Sequence, residues 1–181
     1  MGRIRIEGGF LKGRYISFPD LKEVRPLTSY IKKAIFDILG NIEGFLIADV
    51  FCGSGIFGIE SISRGAGKVV FVDKSDVLCR SIRKNLFDFG IENKAEIVCE
   101  DVVKFFKRNK TIFDLVFLDP PFSVALNPEL LQLVAGSYKR LILRRHKSSL
   151  VSEKNVIESF LGEISDQRLY SDSVVYFFGS I

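Results

Sequence analysis

From Leu46 onward the sequence predicts an α/β fold: a Rossmann-like, doubly wound and mostly parallel sheet with helices on both faces. Three observations predict it. Short, uniformly apolar segments alternate with amphipathic ones, as they do where strands are buried on both faces and joined by right-handed crossover helices. A glycine-rich turn directly follows the first apolar segment. Later apolar segments end in an acid, at Asp73, Asp101 and Asp119.

A single domain is expected over residues 1–181, with 1–27 as an N-terminal β-hairpin extension and 28–181 as the Rossmann-like core. The preface "RIRIEGGFLKGRYISFP" alternates apolar and basic residues around Gly8-Gly9 and Gly13, which predicts a hairpin with positive charge on its open face. In "TSYIKKAIFDILG", Ile31, Ala34, Ile35, Ile38 and Leu39 share one helical stripe, with Thr28 or Ser29 to cap its start and Gly40 its end. "LIADVF" then predicts a strand, "GIFGIESISRG" a helix, "KVVFVD" a second strand and "SDVLCRSIRKNLFDFG" a capped helix. "AEIVCED" and "FDLVFLD" predict strands around the short helix "VVKFFKRNK". After them, "PELLQLVAGS" and "KNVIESFLGEI" read as helices, and "RLILR" and the aromatic, β-branched "SVVYFFG" as strands.

Hydrophobic residues make up 47% of the chain, ample for a sizeable core. No segment approaches the roughly 18 to 20 uninterrupted apolar residues of a membrane span. The start "MGRIRIEGGF" lacks the apolar stretch of a signal peptide, and Ile6 stands where a lipidation signal wants a hydroxyl, so a cytoplasmic protein is expected. Cys52, Cys79 and Cys99 show no metal-ligand spacing and read as small buried thiols, with no metal site. Charge is uneven. Residues 1–33 carry eight basic and three acidic side chains, so their net +5 exceeds the whole chain's +4. "YKRLILRRHK" adds Lys139, Arg140, Arg144, Arg145 and Lys147 without an acid. Such clusters suit a polyanion-binding face or an ordinary solvated one.

Gly53, Gly55 and Gly58 form G-x-G-x-x-G between a strand and a helix, where the backbone must turn sharply, approach a ligand and let the helix pack closely. Asp73, 20 residues beyond Gly53, can accept hydrogen bonds from ribose hydroxyls. Asp101 can meet an adenine amine or cap the helix behind it. A nicotinamide cofactor and S-adenosylmethionine (SAM) fit these features almost equally. Asp49 favours SAM, whose methionine moiety carries a cationic amine, whereas a pyrophosphate wants the helix N-terminus free of an acid.

The stretch "FDLVFLDPPF" places Asp119, Pro120, Pro121 and Phe122 at a strand's carboxyl end, facing the same crevice. Paired prolines stiffen the corner and remove two amide donors. A carboxylate beside a carbonyl can accept both hydrogens of an aromatic amine, while Phe122 offers a face to its ring. That holding turns the nitrogen lone pair toward an electrophile, which suits N-methylation of a base.

Asp-Pro-Pro-Phe with the "DVFCGSGIFGIE" loop resembles the amino-methyltransferases of nucleic acids, which act on adenine, cytosine or guanine. "GGFLKGR", "RPLTSYIKKAIFDIL" and "FCGSGIFGIESISRGA" resemble, in order and spacing, the RsmD family of 16S ribosomal RNA guanine-N2 methyltransferases, over nearly the whole chain. The resemblance implies a SAM-dependent methyltransferase fold with a seven-stranded sheet and transfer to a guanine N2 amine. It implies that Asp49, Phe51, Gly53, Ser54, Gly55, Asp73, Lys74, Asp101 and Val102 hold SAM, and that Asp119, Pro120, Pro121 and Phe122 grip the guanine. Arg3, Gly8, Lys12, Arg14, Arg25, Pro26 and Thr28 would contact 16S ribosomal RNA, within a small-subunit ribonucleoprotein, and a monomer is expected. The family usually has arginine where this chain has Tyr30, and an arginine-glutamate pair where it has Lys32-Lys33, all expected on an RNA-facing helix. His146, the only histidine, reads as a phosphate neighbour or a surface residue. The competing readings are another amino-methyltransferase, such as an N6-adenine enzyme on DNA or RNA, a dinucleotide-dependent oxidoreductase, and a noncatalytic RNA-binding module.

Overall fold

The computed structural model describes residues 1–19, 27–123 and 126–179, so Arg25 and Pro26 lie outside it. Strands β1 (Gly2–Arg5) and β2 (Tyr15–Phe18) pair antiparallel as the expected hairpin. Arg3 and Arg5 are exposed, whereas Ile6, Leu11 and Ile16 are buried against the main core. The tip is fastened to helix α2 (Ile56–Ser63): Ser63 Oγ accepts from the Leu11 amide at 2.8 Å and donates to the Gly8 carbonyl at 2.6 Å. Gly9 sits at φ +74° with room for no side chain, since a Cβ there would lie 1.7 Å from the Ser63 carbonyl oxygen.

Helix α1 (Ser29–Leu39) starts on Thr28, whose hydroxyl accepts from the Ile31 amide, and ends at Gly40. Its buried stripe is Ile31, Lys32, Ile35, Phe36 and Leu39, rotated from the expected one so that Ala34 and Ile38 are only half-buried. Lys32 is the reason. Its Nζ lies 2.7 Å from Glu60 Oε2 and 2.6 Å from the Arg5 carbonyl, with both charged side chains fully buried. Lys32 therefore joins α1 to α2 and to the hairpin instead of facing RNA. Exposed Lys33 pairs with Asp37, and exposed Tyr30 meets Tyr170 edge to face.

The main sheet comprises β3 (Leu46–Val50), β4 (Lys68–Asp73), β5 (Ala95–Cys99), β6 (Phe113–Leu118), β7 (Tyr138–His146), β8 (Asp166–Leu169) and β9 (Ser173–Phe178). Their order is β5-β4-β3-β6-β7-β9-β8, with the first five parallel and β9 antiparallel to both of its neighbours, β7 and β8. Alternation divides the core. Ile47, Phe71, Leu115 and Phe117 pack under α1, α2 and α3 (Asp76–Phe89), whereas Val50, Val72, Val116 and Leu118 pack under α4 (Val102–Arg108), α5 (Pro128–Ala135) and α6 (Leu150–Leu161). Phe57 stacks between Phe36 and Phe117, at centroid distances of 5.1 and 4.0 Å, and so couples α1 through α2 to the sheet.

Three elements differ from the sequence reading. β7 runs to His146, carrying two arginines beyond its apolar stretch, and α6 begins at Leu150 because the turn at 147–149 leads straight into it. The seventh strand is β8, whose "DQRL" has no apolar alternation and which exists by pairing with β9 at the edge. Cys99 is exposed, although Cys52 and Cys79 are buried as expected. No described helix is long and apolar enough to cross a membrane.

Tyr176, on β9, is fully buried, and its hydroxyl finds no hydrogen-bond partner among the described residues. A desolvated hydroxyl left unpaired destabilises a fold by about 1 kcal/mol or more. Tyr176→Phe is therefore expected to raise the midpoint of thermal unfolding by about 2–4 °C. Calorimetric melting of the two proteins checks this; a lower midpoint would mean that the hydroxyl is satisfied.

Candidate active site

The sheet order reverses between β3 and β6, because β4 and β5 lie to one side of β3 and β6 lies on the other. Such a reversal opens a crevice at the carboxyl ends of the two strands. The Asp119 amide donates to the Val50 carbonyl at 3.1 Å, so the end of β6 is tied directly to the end of β3.

After β3 the chain turns through Phe51 at φ 56°, the only non-glycine positive φ among the described residues, then Gly53 at 54° and Gly55 at 75°. The glycine spacing has the physical basis expected of it. A Cβ on Gly55 would come within 2.9 Å of Ile82, and one on Gly58 within 2.3 Å of the Phe71 ring. Carboxylates shape the same turn. Asp73 accepts from the Gly53 amide at 3.0 Å through Oδ2 and from the Ser75 amide at 2.9 Å through Oδ1. Asp49, 1% exposed, accepts from the Gly58 amide at 2.9 Å. Burial pushes the Asp49 carboxyl well above the usual carboxylate range; the Gly58 bond opposes that push, and the charges of Asp119 and Asp73 add to it. Asp101 caps α4, accepting from the Val103 and Lys104 amides through Oδ1, and lies exposed at the rim. Burial also raises the Cys52 thiol, and holds that of Cys79 up at about 12, so neither is a ready nucleophile.

On the other wall, the Asp119 carboxylate is nearly enclosed. Its Oδ1 accepts from Arg144 Nε at 2.8 Å. Burial holds this carboxyl above the usual carboxylate range, opposed by the charge and hydrogen bond of Arg144 and by the charge of Arg145. The Pro121 carbonyl accepts from Arg145 Nη1 at 3.4 Å, and Arg145 holds both oxygens of Glu153 on α6 at 2.8 Å. The Arg144 guanidinium lies 5.3 Å from the centroid of the Phe122 ring, and the His146 ring meets Phe122 edge-on at 5.2 Å. His146 Nδ1 is 2.6 Å from Ser148 Oγ.

Together these walls enclose a cleft of about 1220 Å³. Asp49, Phe51, Gly53, Ser54, Asp73, Lys74, Asp101 and Val102 line it, opposite Asp119, Pro120, Pro121 and Phe122. Gly55 does not line it and serves the turn behind. Arg3, Lys12, Arg14 and Thr28 are exposed and do not line it either. Arg3 lies over the Tyr15 ring, Arg14 lies over Phe89 and donates to the Asp88 carbonyl, and Thr28 caps α1. The sequence reading missed Arg144, Arg145 and Glu153, having taken the arginines as part of a basic surface run. Their signal was position: both follow directly on the apolar "LIL" of a strand, where a side chain is buried.

A family model described as conserved hypothetical protein 95 matches residues 4–172. A relative from Buchnera aphidicola subsp. Acyrthosiphon pisum, "Ribosomal RNA small subunit methyltransferase D", is 34% identical over 135 residues, covering 73% of this chain and 70% of its own. This chain belongs to the RsmD family. The solved "Putative methyltransferase yhhF" of Escherichia coli shares the fold of this RsmD family member at a TM-score of 0.80 and 23% identity, covering 97% of each chain. A chain solved as "a putative methyltransferase complexed with SAH" does so at 0.65 and 18%, over 82% of this chain and 48% of that one.

Asp49 yields a prediction with a defined sign. A carboxyl raised in the folded state stabilises the fold below its ordinary value, near 3.9 in the unfolded chain, and loses that contribution as pH rises through the folded value. Asparagine can still accept from the Gly58 amide but does not ionise. Asp49→Asn is therefore expected to melt higher than the parent at pH 7, with the difference closing as pH falls toward 4. Thermal unfolding across that range checks it; a gap that widens on acidification would show that the buried acid is stabilised as its anion.

Proposed function

We propose that this cleft transfers a methyl group from SAM to the exocyclic N2 amine of a guanine in 16S ribosomal RNA. The observation that carries the proposal is the meeting of the glycine turn and the Asp119 to Phe122 corner on one cleft. The names of the relatives, and the SAH bound by the second solved chain, support the same reading. The residues present suit the cofactor. Gly53 brings backbone without a side chain, Asp73 and Asp101 bring carboxylates for ribose and adenine, and buried Asp49 brings an acid for the cationic amine. Phe51, Ser54, Lys74 and Val102 complete that wall. SAM supplies an electrophilic methyl carried on a sulfonium.

What the chain itself does is hold an amine. The structure narrows the expected acceptors, because Oδ1 of Asp119 and the carbonyl of Pro121 already take arginine donors. Among the described residues no donor meets Oδ2 of Asp119 or the Pro120 carbonyl. These two are the acceptors for the hydrogens of the amine, which leaves its lone pair directed across the cleft. The Asp119 charge stabilises the positive charge that grows on nitrogen, and Phe122 stacks on the guanine. Arg3, Lys12, Arg14 and Thr28, with Arg25 and Pro26 beyond the described residues, would contact RNA, the basic ones through its phosphates, making the hairpin the RNA-binding extension of the catalytic core.

Calorimetric titration is expected to show SAM binding at micromolar levels and no binding of NADH; the reverse would assign a dinucleotide enzyme. Asp119→Ala would leave Arg144 buried without its partner, so Asp119→Asn is the cleaner variant. It is expected to lower methyl transfer by about 10²-fold or more with SAM affinity little changed, measured by nucleoside mass spectrometry of ribosomal RNA. Undiminished transfer would remove Asp119 from the reaction.

Arg14→Ala should reduce the slope of log affinity for RNA against log salt by about one phosphate contact, since the Arg14 side chain is exposed on the hairpin. An unchanged slope, from binding isotherms at several salt concentrations, would place RNA elsewhere.

A further inference from the structure

Successive side chains of a strand leave on opposite faces of its sheet, and β7 carries two arginines in succession just before its last residue, His146. Arg144 follows Ile142 onto the face of α1 to α3, and Arg145 follows Leu143 onto the face of α6. Both nevertheless reach the same corner. Arg144 takes the Asp119 carboxylate and lies against Phe122; Arg145 takes the Pro121 carbonyl and anchors it to Glu153. Arg144 is 5% exposed and Arg145 2%. Burying such charges is unfavourable by itself, and a well-packed apolar pair is often as stable as a buried ion pair. Stability alone does not call for guanidinium here.

We propose that Arg144 is a positioning residue for methyl transfer: held by β7, it fixes the Asp119 carboxylate through Oδ1 and the ring of Phe122 together, so that Oδ2 faces the amine. The assignment rests on the functional reading above and extends it to a residue on the cleft wall that acts through Asp119 and Phe122. A planar guanidinium does both tasks at once, bonding in its plane and stacking on its face, where an ammonium supplies only charge. The charged groups around Asp119 are Arg144 and Arg145 from β7, both of which lower its carboxyl, and Asp49 from β3, Asp73 from β4 and Glu153 from α6, which share its cleft. With Arg145 paired to Glu153 and His146 turned to Ser148, Arg144 is the cation bonded to this carboxylate among the described residues.

Two measurements test it. In the protein without substrate, the Asp119 side-chain carboxyl is titrated by carbon-13 NMR in the parent, Arg144→Gln and Arg144→Lys. The carboxyl is expected to titrate at higher pH in the glutamine variant and near the parent value in the lysine variant. In the transfer assay with SAM and ribosomal RNA, kcat of the glutamine variant is expected to fall about 10²-fold at pH 7, with the loss shrinking as pH rises. The lysine variant should show a smaller loss that is the same at every pH, and SAM affinity should stay within about twofold in both. An Asp119 titration unmoved by the glutamine substitution overturns the proposal. So does a loss of transfer that follows loss of SAM affinity or of fold. Should Arg144→Gln not fold, Arg144→Lys decides: full kcat overturns the proposal, and reduced kcat at parental SAM affinity supports it. Should the parent transfer no methyl to ribosomal RNA, the functional reading fails, and the NMR titration alone then decides what Arg144 does to Asp119.

Discussion

Three carboxylates, Asp49, Asp73 and Asp119, converge on one cleft, and the surrounding structure follows from the need to satisfy them. A buried acid without donors is among the costliest features a fold can carry. Each here is met differently. Asp49 takes an amide from inside α2, Asp73 takes two amides from the loops on either side of it, and Asp119 takes a guanidinium. The first two bonds bend the glycine turn around the ends of β3 and β4. The third brings the end of β7 against that of β6. The cleft is thus shaped by the same groups to which the proposed function assigns ligand binding.

A second enclosed charge does the same for the hairpin. Glu60 on α2 receives Lys32 from α1, Arg64 from just past the end of its own helix and the Glu7 amide from the preface. Arg64 in turn lies over Phe36, at the end of the stack that runs through Phe57 to Phe117 on β6. One glutamate therefore connects three elements, and the aromatic stack carries that connection to the sheet beside the cleft. The hairpin is held by this network and by Ser63, which fixes where its exposed arginines stand.

Much of this was legible in the sequence. The apolar segments announced the parallel strands because both faces of each are buried, and the glycine pattern announced the turn because Gly53 and Gly55 take positive φ and a Cβ on Gly55 or Gly58 would meet a neighbour. Asp119 to Phe122 announced the opposite wall. The illegible parts share a cause. Lys32 with Glu60, and Arg144 with Asp119, are buried pairs whose members lie 28 and 25 residues apart in the chain. Taken singly, Lys32, Glu60 and Arg144 look like surface charge; only the fold brings each to its partner. β8 escaped for a related reason, since a charged edge strand takes its conformation from a neighbour and not from its own pattern.

The prolines explain why the partner of the corner had to be arginine. Pro120 and Pro121 lack amide hydrogens, so beyond the Asp119 amide, which the Val50 carbonyl takes, this corner presents only acceptors, two carbonyls and a carboxylate. No hydrogen bond between such groups can brace it, and a neighbouring strand that extended its ladder would find nothing to accept. Rigidity in φ does not by itself aim the corner. Further donors must come from outside and reach both sides, and under the proposed function they must not compete as acceptors for the hydrogens of an amine. Arginine alone offers several donors in a fixed plane and no acceptor. Two arginines in succession at the end of β7, emerging on opposite faces, meet all of those conditions, and the side-chain period of two residues sends one to each side of Asp119 and Pro121.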